Sequence, residues 1–149
     1  MKTIVLTSLL TIFITLNAGA VSADQSLMDL KRAEKIFSTL PDMGKYKPED
    51  RDNDKVTQQQ DKGFKILEDA VKAYLESPED ELLLEEILKV AVASNKKDPT
   101  VYASEIVSPI ASKQKARLDK VLKKLPGKDA TDLQRTIQNS LREQSNGNG

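Results

Sequence analysis

Apolar residues recur at helical spacing along nearly all of the chain that follows residue 23. In the first such segment, intervals of three and four residues separate Leu27, Leu30, Ala33, Phe37 and Leu40. That interval is the repeat of one helix face. Nowhere do β-branched or aromatic residues alternate with polar residues over a run long enough for a strand. The pattern predicts an all-α protein, a single small helical bundle of about five helices.

Caps and helix breakers predict where the first two helices begin and end. Ser26 is the predicted N-cap of the first helix, and Pro41 ends that helix because proline cannot continue it. Residues 41–54 contain many turn-forming residues and are a predicted loop. The second helix is predicted from about residue 56 to residue 76, and Gly63 inside it is expected to weaken it slightly.

The third helix has the strongest start signal in the chain. Ser77 occupies the predicted N-cap, and Pro78 takes the first helical position, where its missing N–H is harmless. The acids at residues 79–81 complement the helix dipole. Apolar residues follow on more than one face, which predicts a central place in the core: Leu82, Leu83, Leu84, Ile87, Leu88, Val90 and Val92.

Two further cap-and-proline pairs divide the next part of the chain. Asp98, before a proline, is predicted to open a short helix that reaches about Val107. Ser108 also precedes a proline, so it is a second predicted N-cap. A break in the helix is expected there because Pro109 has no N–H to donate to the preceding turn. A long helix is then predicted to run to Leu125.

The last helix is predicted from a capping box. Thr131 and Gln134 have the spacing at which each side chain satisfies the backbone N–H of the other. The apolar residues of this helix are Leu133, Ile137 and Leu141. Residues 143–149 are predicted to be a disordered tail, so that the helical bundle domain spans residues 24–142.

The first residues follow a different pattern. One Lys is followed by an uncharged apolar run from Thr3 to Leu16 and by small residues that end at Ala23. These are the parts of a secretory signal peptide, and the run is shorter than the roughly 20 residues that span a bilayer. Residues 1–23 are therefore a predicted signal peptide, cut after Ala23 or alternatively after Ala20. The protein is predicted to be secreted or periplasmic.

The composition removes much of the usual catalytic chemistry. The sequence has no His and no Cys, which excludes a catalytic imidazole, a thiolate nucleophile and Cys/His zinc sites. The two serines with strong local context, Ser77 and Ser108, are explained as helix caps. The chain is therefore predicted not to be an enzyme and to need no cofactor.

Charge is distributed unevenly although the formal net charge is zero. Residues 24–94 contain 11 basic and 17 acidic residues, whereas residues 95–149 contain 11 basic and 6 acidic residues. The acidic and the basic part of the chain can attract each other within one fold or between two molecules.

One acidic stretch has the spacing of a calcium-binding loop. Asp50, Asp52 and Asp54 match the first three ligand positions of an EF-hand loop, and Asp61 stands at the twelfth. Lys55 replaces the glycine that allows the sharp turn, and Asp61 is shorter than the bidentate Glu. These four aspartates are weak candidates for metal ligands.

The same residues also have a purely structural explanation. Asp54 can cap the second helix, whose dipole favours nearby carboxylates. Asp61 and Lys65 can form an ordinary ion pair one helical turn apart. This explanation is favoured over the metal site.

The second candidate site is a helix rich in basic residues. Between residues 113 and 128 the chain has seven cations and one acid, and Lys113, Arg117, Lys120 and Lys124 share one helix face. This face is the candidate partner-binding site. The favoured alternative is that its cations face solvent or the acidic start of the third helix, residues 79–86. Contact with a membrane or cell-wall surface is not favoured, because the helix has no Trp or Phe.

Together these features predict an exported, soluble, non-enzymatic helical protein that binds another macromolecule, as an inhibitor, immunity-type, chaperone-like or effector protein. A protein partner is predicted, and nucleic acid is not, because the overall charge is not basic. The alternatives are a structural or self-associating envelope protein and a low-affinity calcium-binding protein.

Overall fold

Six α-helices make up the part of the chain that the structure, a computed structural model, describes. It describes residues 22–47 and 53–147, with only the backbone for residues 53 and 54. The helices are α1 Ala23–Thr39, α2 Asn53–Glu76, α3 Glu81–Asn95, α4 Tyr102–Lys113, α5 Lys115–Leu122 and α6 Gly127–Gly147. The predicted all-α bundle is confirmed, while residues 1–21 of the predicted signal peptide lie outside the described ranges.

Helix α3 forms the centre of the bundle. It contacts each of the other five helices, and it has buried side chains on more than one face because neighbouring helices cover those faces. Those that are fully buried include Leu84, Ile87, Leu88 and Val90. The central position predicted for the third helix is confirmed.

The remaining helices each bury one apolar stripe against this centre. In α1 the buried stripe includes Leu30, Ala33 and Phe37, as the periodicity predicts. The corresponding buried residues elsewhere are Phe64, Leu67, Val71 and Tyr74 in α2, Leu118, Val121 and Leu122 in α5, and Leu133 and Ile137 in α6.

The start of α1 lies one turn earlier than predicted. Ser22 is the N-cap, and its Oγ accepts a hydrogen bond from the Gln25 N–H at 3.3 Å. Ser26 is buried inside the helix, and its N–H donates to the Ser22 carbonyl at 3.0 Å. The prediction of Ser26 as the cap is therefore wrong.

Among residues 22–47 and 53–147, no helix is both long enough and apolar enough to cross a bilayer.

The start of α3 also differs from the prediction. The Ser77 N–H donates to the carbonyls of Ala73 and Tyr74, so Ser77 completes α2 and does not cap α3. Asp80 is the N-cap, and its Oδ1 accepts a hydrogen bond from the Leu83 N–H at 2.9 Å. The residues between form a tight turn, which Pro78 favours because it has no N–H with which to extend α2.

Helix α4 begins three residues later than predicted, because Val101 and not Asp98 is its N-cap. Asp98 does not open a helix, since its Oδ1 accepts hydrogen bonds from the N–H and the hydroxyl of Thr100, at 2.9 and 2.7 Å. The chain turns there, and Val101 has a φ of 53°, in the left-handed region. That conformation is costly for a β-branched residue.

The break predicted at Ser108 is absent, because α4 continues through Pro109 to Lys113. Pro109 has no N–H for the carbonyl of Glu105, but the Ser108 Oγ donates to that carbonyl at 2.8 Å. The chain breaks instead at Gln114, with a φ of −136° and a ψ of 39°. The residues of the predicted long helix are therefore divided between the end of α4 and α5, and α5 ends at Leu122 and not at Leu125.

Two other helix boundaries differ from their predictions. Helix α2 begins at Asn53, about one turn before the predicted start. Helix α6 begins at Gly127, and the Thr131 hydroxyl donates to the Gly127 carbonyl at 2.8 Å, so Thr131 is not part of a capping box. Helix α6 also extends to Gly147, within the segment predicted as a tail.

Candidate interaction site around helix α5

The basic side chains of α5 and the residues after it reach the acidic start of α3. The Lys120 Nζ lies 2.5 Å from the Glu81 Oε2. The Lys124 Nζ contacts the Glu81 Oε1 and lies 3.7 Å from the Glu85 Oε2. For Lys120 and Lys124, the alternative that the cations face the start of the third helix is confirmed.

Arg117 reaches the same end of α3 but has no carboxylate partner in the described ranges. Its Nη1 donates to the Pro78 carbonyl at 2.7 Å, a neutral acceptor that leaves the charge of the guanidinium uncompensated. Lys113, the fourth residue of the predicted face, is exposed at the end of α4. The structure therefore brings three of the four predicted residues to the start of α3, while Lys113 makes no ion pair there among the described residues.

Glu81 is the carboxylate that both Lys120 and Lys124 contact. Hydrogen bonds from Lys120 and then Lys124 lower the pKa of the Glu81 carboxyl from 4.5 to about 2. The same contact raises the pKa of Lys124, mainly through its hydrogen bond to Glu81. All three side chains are substantially exposed, so salt screens the interaction.

The lowered pKa of Glu81 predicts a pH-dependent contribution to stability. Because the folded-state pKa of about 2 lies below the usual value of 4.5, the ion pairs stabilise the fold above about pH 4.5. That contribution is lost as the pH falls from 4.5 towards 2. The variant Glu81→Gln is expected to be less stable than the wild type at neutral pH, and the difference should vanish near pH 2.

Urea unfolding followed by circular dichroism over this pH range measures the effect. Glu143→Gln is a matched control, because Glu143 is an exposed carboxylate of α6 without an ion pair among the described residues. A difference between Glu81→Gln and the wild type that does not depend on pH would contradict the prediction.

A surplus of positive charge remains in residues 113–128. Lys115 pairs with Asp119 at 2.5 Å. Lys113, Lys123 and Lys128 are exposed, and none has an ion pair with another described residue. Even with Glu81 and Glu85 included, the seven cations of residues 113–128 outnumber the acids by seven to three. We use the name basic face for the four exposed cations Lys113, Arg117, Lys123 and Lys128, which lie close together in the chain.

A cavity of about 250 Å³ lies beside this contact, between α2, α3 and α5. Tyr74, Arg117 and Val121 are among the residues that line it. Tyr74 is fully buried, and its Oη has no hydrogen-bond partner among residues 22–47 and 53–147. Sequence reasoning missed this residue, because a tyrosine on an apolar helix face has the same pattern as any core aromatic.

Electrostatics keep the Tyr74 hydroxyl protonated. Burial raises the pKa of Tyr74 above its usual value of 10.0. The positive charge of Arg117 acts in the opposite direction, and Asp80, Glu79 and Glu81 raise the pKa further. At neutral pH the group is therefore a neutral hydrogen-bond donor next to a cation.

The candidate metal ligands are not assembled by the residues that the structure describes. Asp50 and Asp52 lie outside those residues, and Asp54 lies in the first turn of α2 with only its backbone described. Asp61 is exposed on α2. Within the described ranges, no three Asp or Glu residues are close enough to hold a metal ion together.

Two structural roles assigned to these aspartates also differ from their predictions. Lys65 forms its ion pair with Asp69, at 2.5 Å, and not with Asp61. Since α2 starts at Asn53, Asp54 is inside the helix and is not its cap. Only the second difference follows from the earlier start of α2, because Asp61, Lys65 and Asp69 lie inside the helix in either case.

Comparisons with models of protein families, with curated proteins and with solved structures gave no match to this chain.

Proposed function

We propose that this protein is an exported, non-enzymatic helical protein that binds an acidic surface of another protein through its basic face. The observation that supports this proposal is the surplus of exposed cations that remains after the internal ion pairs are counted. Uncompensated charge on one side of a protein accelerates association with a partner of opposite charge and selects against partners of like charge.

The environment of α5 favours a protein partner over a lipid surface. A helix that lies on a membrane inserts its apolar face into the lipid, but the apolar face of α5 is already buried. Leu118, Val121 and Leu122 are at most 4% exposed. Only the polar face is free to bind a partner.

The positions of the exposed apolar residues also argue against binding of lipid or nucleic acid at this face. The large hydrophobic residues that are exposed in the described ranges are Met28, Leu82 and Tyr102, on α1, α3 and α4. The basic face itself has no aromatic residue on which a base could stack. Charge complementarity with an acidic protein surface requires neither feature.

Charge reversal at the basic face tests this proposal. The double variant Lys113→Glu and Lys123→Glu changes two exposed cations without disturbing the ion pairs of Glu81. We expect the mature wild-type protein to retain a partner from envelope extracts at about 50 mM salt and to release it at about 500 mM. The double variant should bind that partner at least about tenfold more weakly, because like charges then face each other.

The control is Lys31→Glu with Lys35→Glu, which makes the same charge change on the exposed side of α1. This control should bind the partner as the wild type does. Equal binding by both double variants would contradict the proposed surface. Sedimentation of the same samples separates a protein partner from self-association, since a monomer at both salt concentrations excludes association of this chain through charge.

A further inference from the structure

Another cavity, of about 500 Å³, lies where α1 begins and α2 ends, and it shares no lining residue with the one beside Tyr74. Its lining comes from these two helices, from the turn after α2 and from the start of α3. Ile66, Ala70 and Ala73 of α2 follow the helical repeat and give the lining an apolar strip about two turns long. A short hydrocarbon chain fits such a strip.

Ser26 of α1 contributes to this cavity a hydroxyl that the fold does not use. The residue is only 6% exposed. Its backbone N–H donates to the Ser22 carbonyl, but its Oγ forms no hydrogen bond with another residue of the ranges 22–47 and 53–147. This Oγ keeps accessible surface, in contrast to the Oη of Tyr74, so a ligand in the cavity can reach it. A hydrogen bond from such a ligand would recover the free energy that the unpaired hydroxyl costs.

Glu76 is a second polar group of the lining without a partner in the described part of the chain. It is the last residue of α2. The C-terminus of a helix carries partial negative charge, so it favours a nearby cation and disfavours a carboxylate. The last turn of α2 nevertheless has no basic residue, and no described residue forms an ion pair with Glu76. The stability of the helix therefore does not explain this acid.

The other carboxylates of the lining are matched within the protein. Asp29 pairs with Arg32 at 3.2 Å. Asp69 pairs with Lys65 at 2.5 Å, and Asp80 is the N-cap of α3. The acceptors left unmatched thus include one hydroxyl of α1 and one carboxylate of α2. A positively charged hydrogen-bond donor complements both.

We infer that this cavity binds a primary alkylammonium group, which donates a hydrogen bond to the Ser26 Oγ and whose charge Glu76 compensates, while its hydrocarbon chain lies on the apolar strip of α2. An ammonium group has three N–H donors, so it can serve the hydroxyl and still interact with the carboxylate. A lysine side chain of another protein and a free polyamine both carry this group. The site does not include the basic face, so the inference does not depend on the proposed function.

Lys72 is the residue of the lining that opposes such a ligand. It is exposed on α2, one turn before Glu76, and it forms no ion pair with another described residue. Its charge repels an ammonium group and weakens the field of the carboxylate. The variant Lys72→Gln should therefore bind the ligand more tightly, by up to about fivefold. A ligand held by the apolar strip alone would not respond to this change.

Titration with n-butylamine at neutral pH, where the amine is protonated, tests the site. The methyl signals of labelled alanines report where the amine binds. Those of Ala70 and Ala73 should shift, whereas that of Ala116, exposed on α5 and outside the cavity, should not. Butan-1-ol has the same chain without the charge, and it should bind at least about tenfold more weakly.

The protein for this titration begins at Val21, as it does after the predicted cut at Ala20. This start retains Ser22, the N-cap of α1, and Ala23, which lines the cavity. All variants are made in the same chain.

Two variants assign the binding to the unmatched groups. Ser26→Ala should weaken the binding of n-butylamine about tenfold, because a hydrogen bond from a charged donor is lost. Glu76→Gln should weaken it by up to about fivefold, since this carboxylate is exposed. The matched controls are Ser38→Ala on α1 and Asp61→Asn on α2, both exposed and outside the cavity, and they should bind as the wild type does. Ser26→Ala removes a hydroxyl without a partner from a helix, so it should not destabilise the fold.

Further titrants distinguish the two sources of the ammonium group. Tighter binding of the peptide acetyl-Gly-Lys-Gly-amide than of 1,5-diaminopentane supports the site and indicates a lysine of a protein partner. The opposite order supports the site and indicates a free polyamine. Equal binding by the wild type and Ser26→Ala, or the absence of a shift at Ala70 and Ala73, would overturn the site. Charge reversal at Lys113 and Lys123 should leave this titration unchanged, so the site and the proposed function can fail separately.

Discussion

Replacement of Phe37 by Ala is expected to lower the free energy of unfolding by about 3–5 kcal/mol, because a large and fully buried side chain is removed. The Phe37 ring packs against the Phe64 ring with a centroid distance of 5.1 Å. It also fills the space directly above Gly63 of α2. Urea unfolding at neutral pH measures the loss, and Phe37→Leu should cost clearly less because most of the volume is kept.

The contact between Phe37 and Gly63 allows a sharper version of this test. A Cβ at Gly63 would lie 2.7 Å from the Phe37 Cζ, so the ring would have to move. Gly63→Ala alone is expected to cost about 1–3 kcal/mol through overpacking. In the Phe37→Ala background the same substitution should stabilise by up to about 1 kcal/mol, because Ala is the better helix former and the clash is gone. The same sign in both backgrounds would contradict this packing.

Replacement of Ser108 by Ala is expected to destabilise the protein by about 1–3 kcal/mol. Ser108 is fully buried, and its hydroxyl donates to the Glu105 carbonyl that Pro109 leaves without its backbone partner. The Ser108 Oγ also accepts a hydrogen bond from Gln144 of α6 at 3.0 Å. The loss of the hydroxyl leaves the Glu105 carbonyl, which is partly buried with this bond, without a donor inside α4. Urea unfolding again gives the magnitude.

The role of Ser108 can be isolated by restoring the backbone donor. In a Pro109→Ala background, the new N–H at residue 109 can donate to the Glu105 carbonyl. Ser108→Ala should then cost less than about 1 kcal/mol, since only the contact with Gln144 is lost. An equal cost in both backgrounds would show that the Ser108 hydroxyl does not compensate for proline.

Helix caps show why local signals alone misplace helix boundaries. Ser77 and Asp80 are both good N-cap residues, and either can precede a helix. Asp80 is the cap because the Ser77 N–H is still bonded within α2. The position of the cap therefore depends on where the preceding helix ends, which in turn depends on how Tyr74 packs in the core.

The ion pairs of the basic helix could also be predicted only in part from the sequence. Its cations, and even the acidic residues that they face, could be predicted from charge patterning. The pairing of both Lys120 and Lys124 with Glu81 could not, because it depends on the distance between α3 and α5. The cavity beside Tyr74 left no trace in the sequence, since its polar lining comes from three different helices.

Composition and hydrophobic periodicity alone were enough to assign the all-α class, the central third helix and most of the core, because burial of an apolar face depends on residue spacing within one helix. Gly63 shows the limit of such local information. From the sequence it is a slight weakness in α2, but in the fold it is the space that Phe37 of α1 occupies. The helix ends, the pairing of Lys120 and Lys124 with Glu81, and the cavity beside Tyr74 depended on contacts between residues far apart in the chain. Such contacts exist only once the helices have packed together.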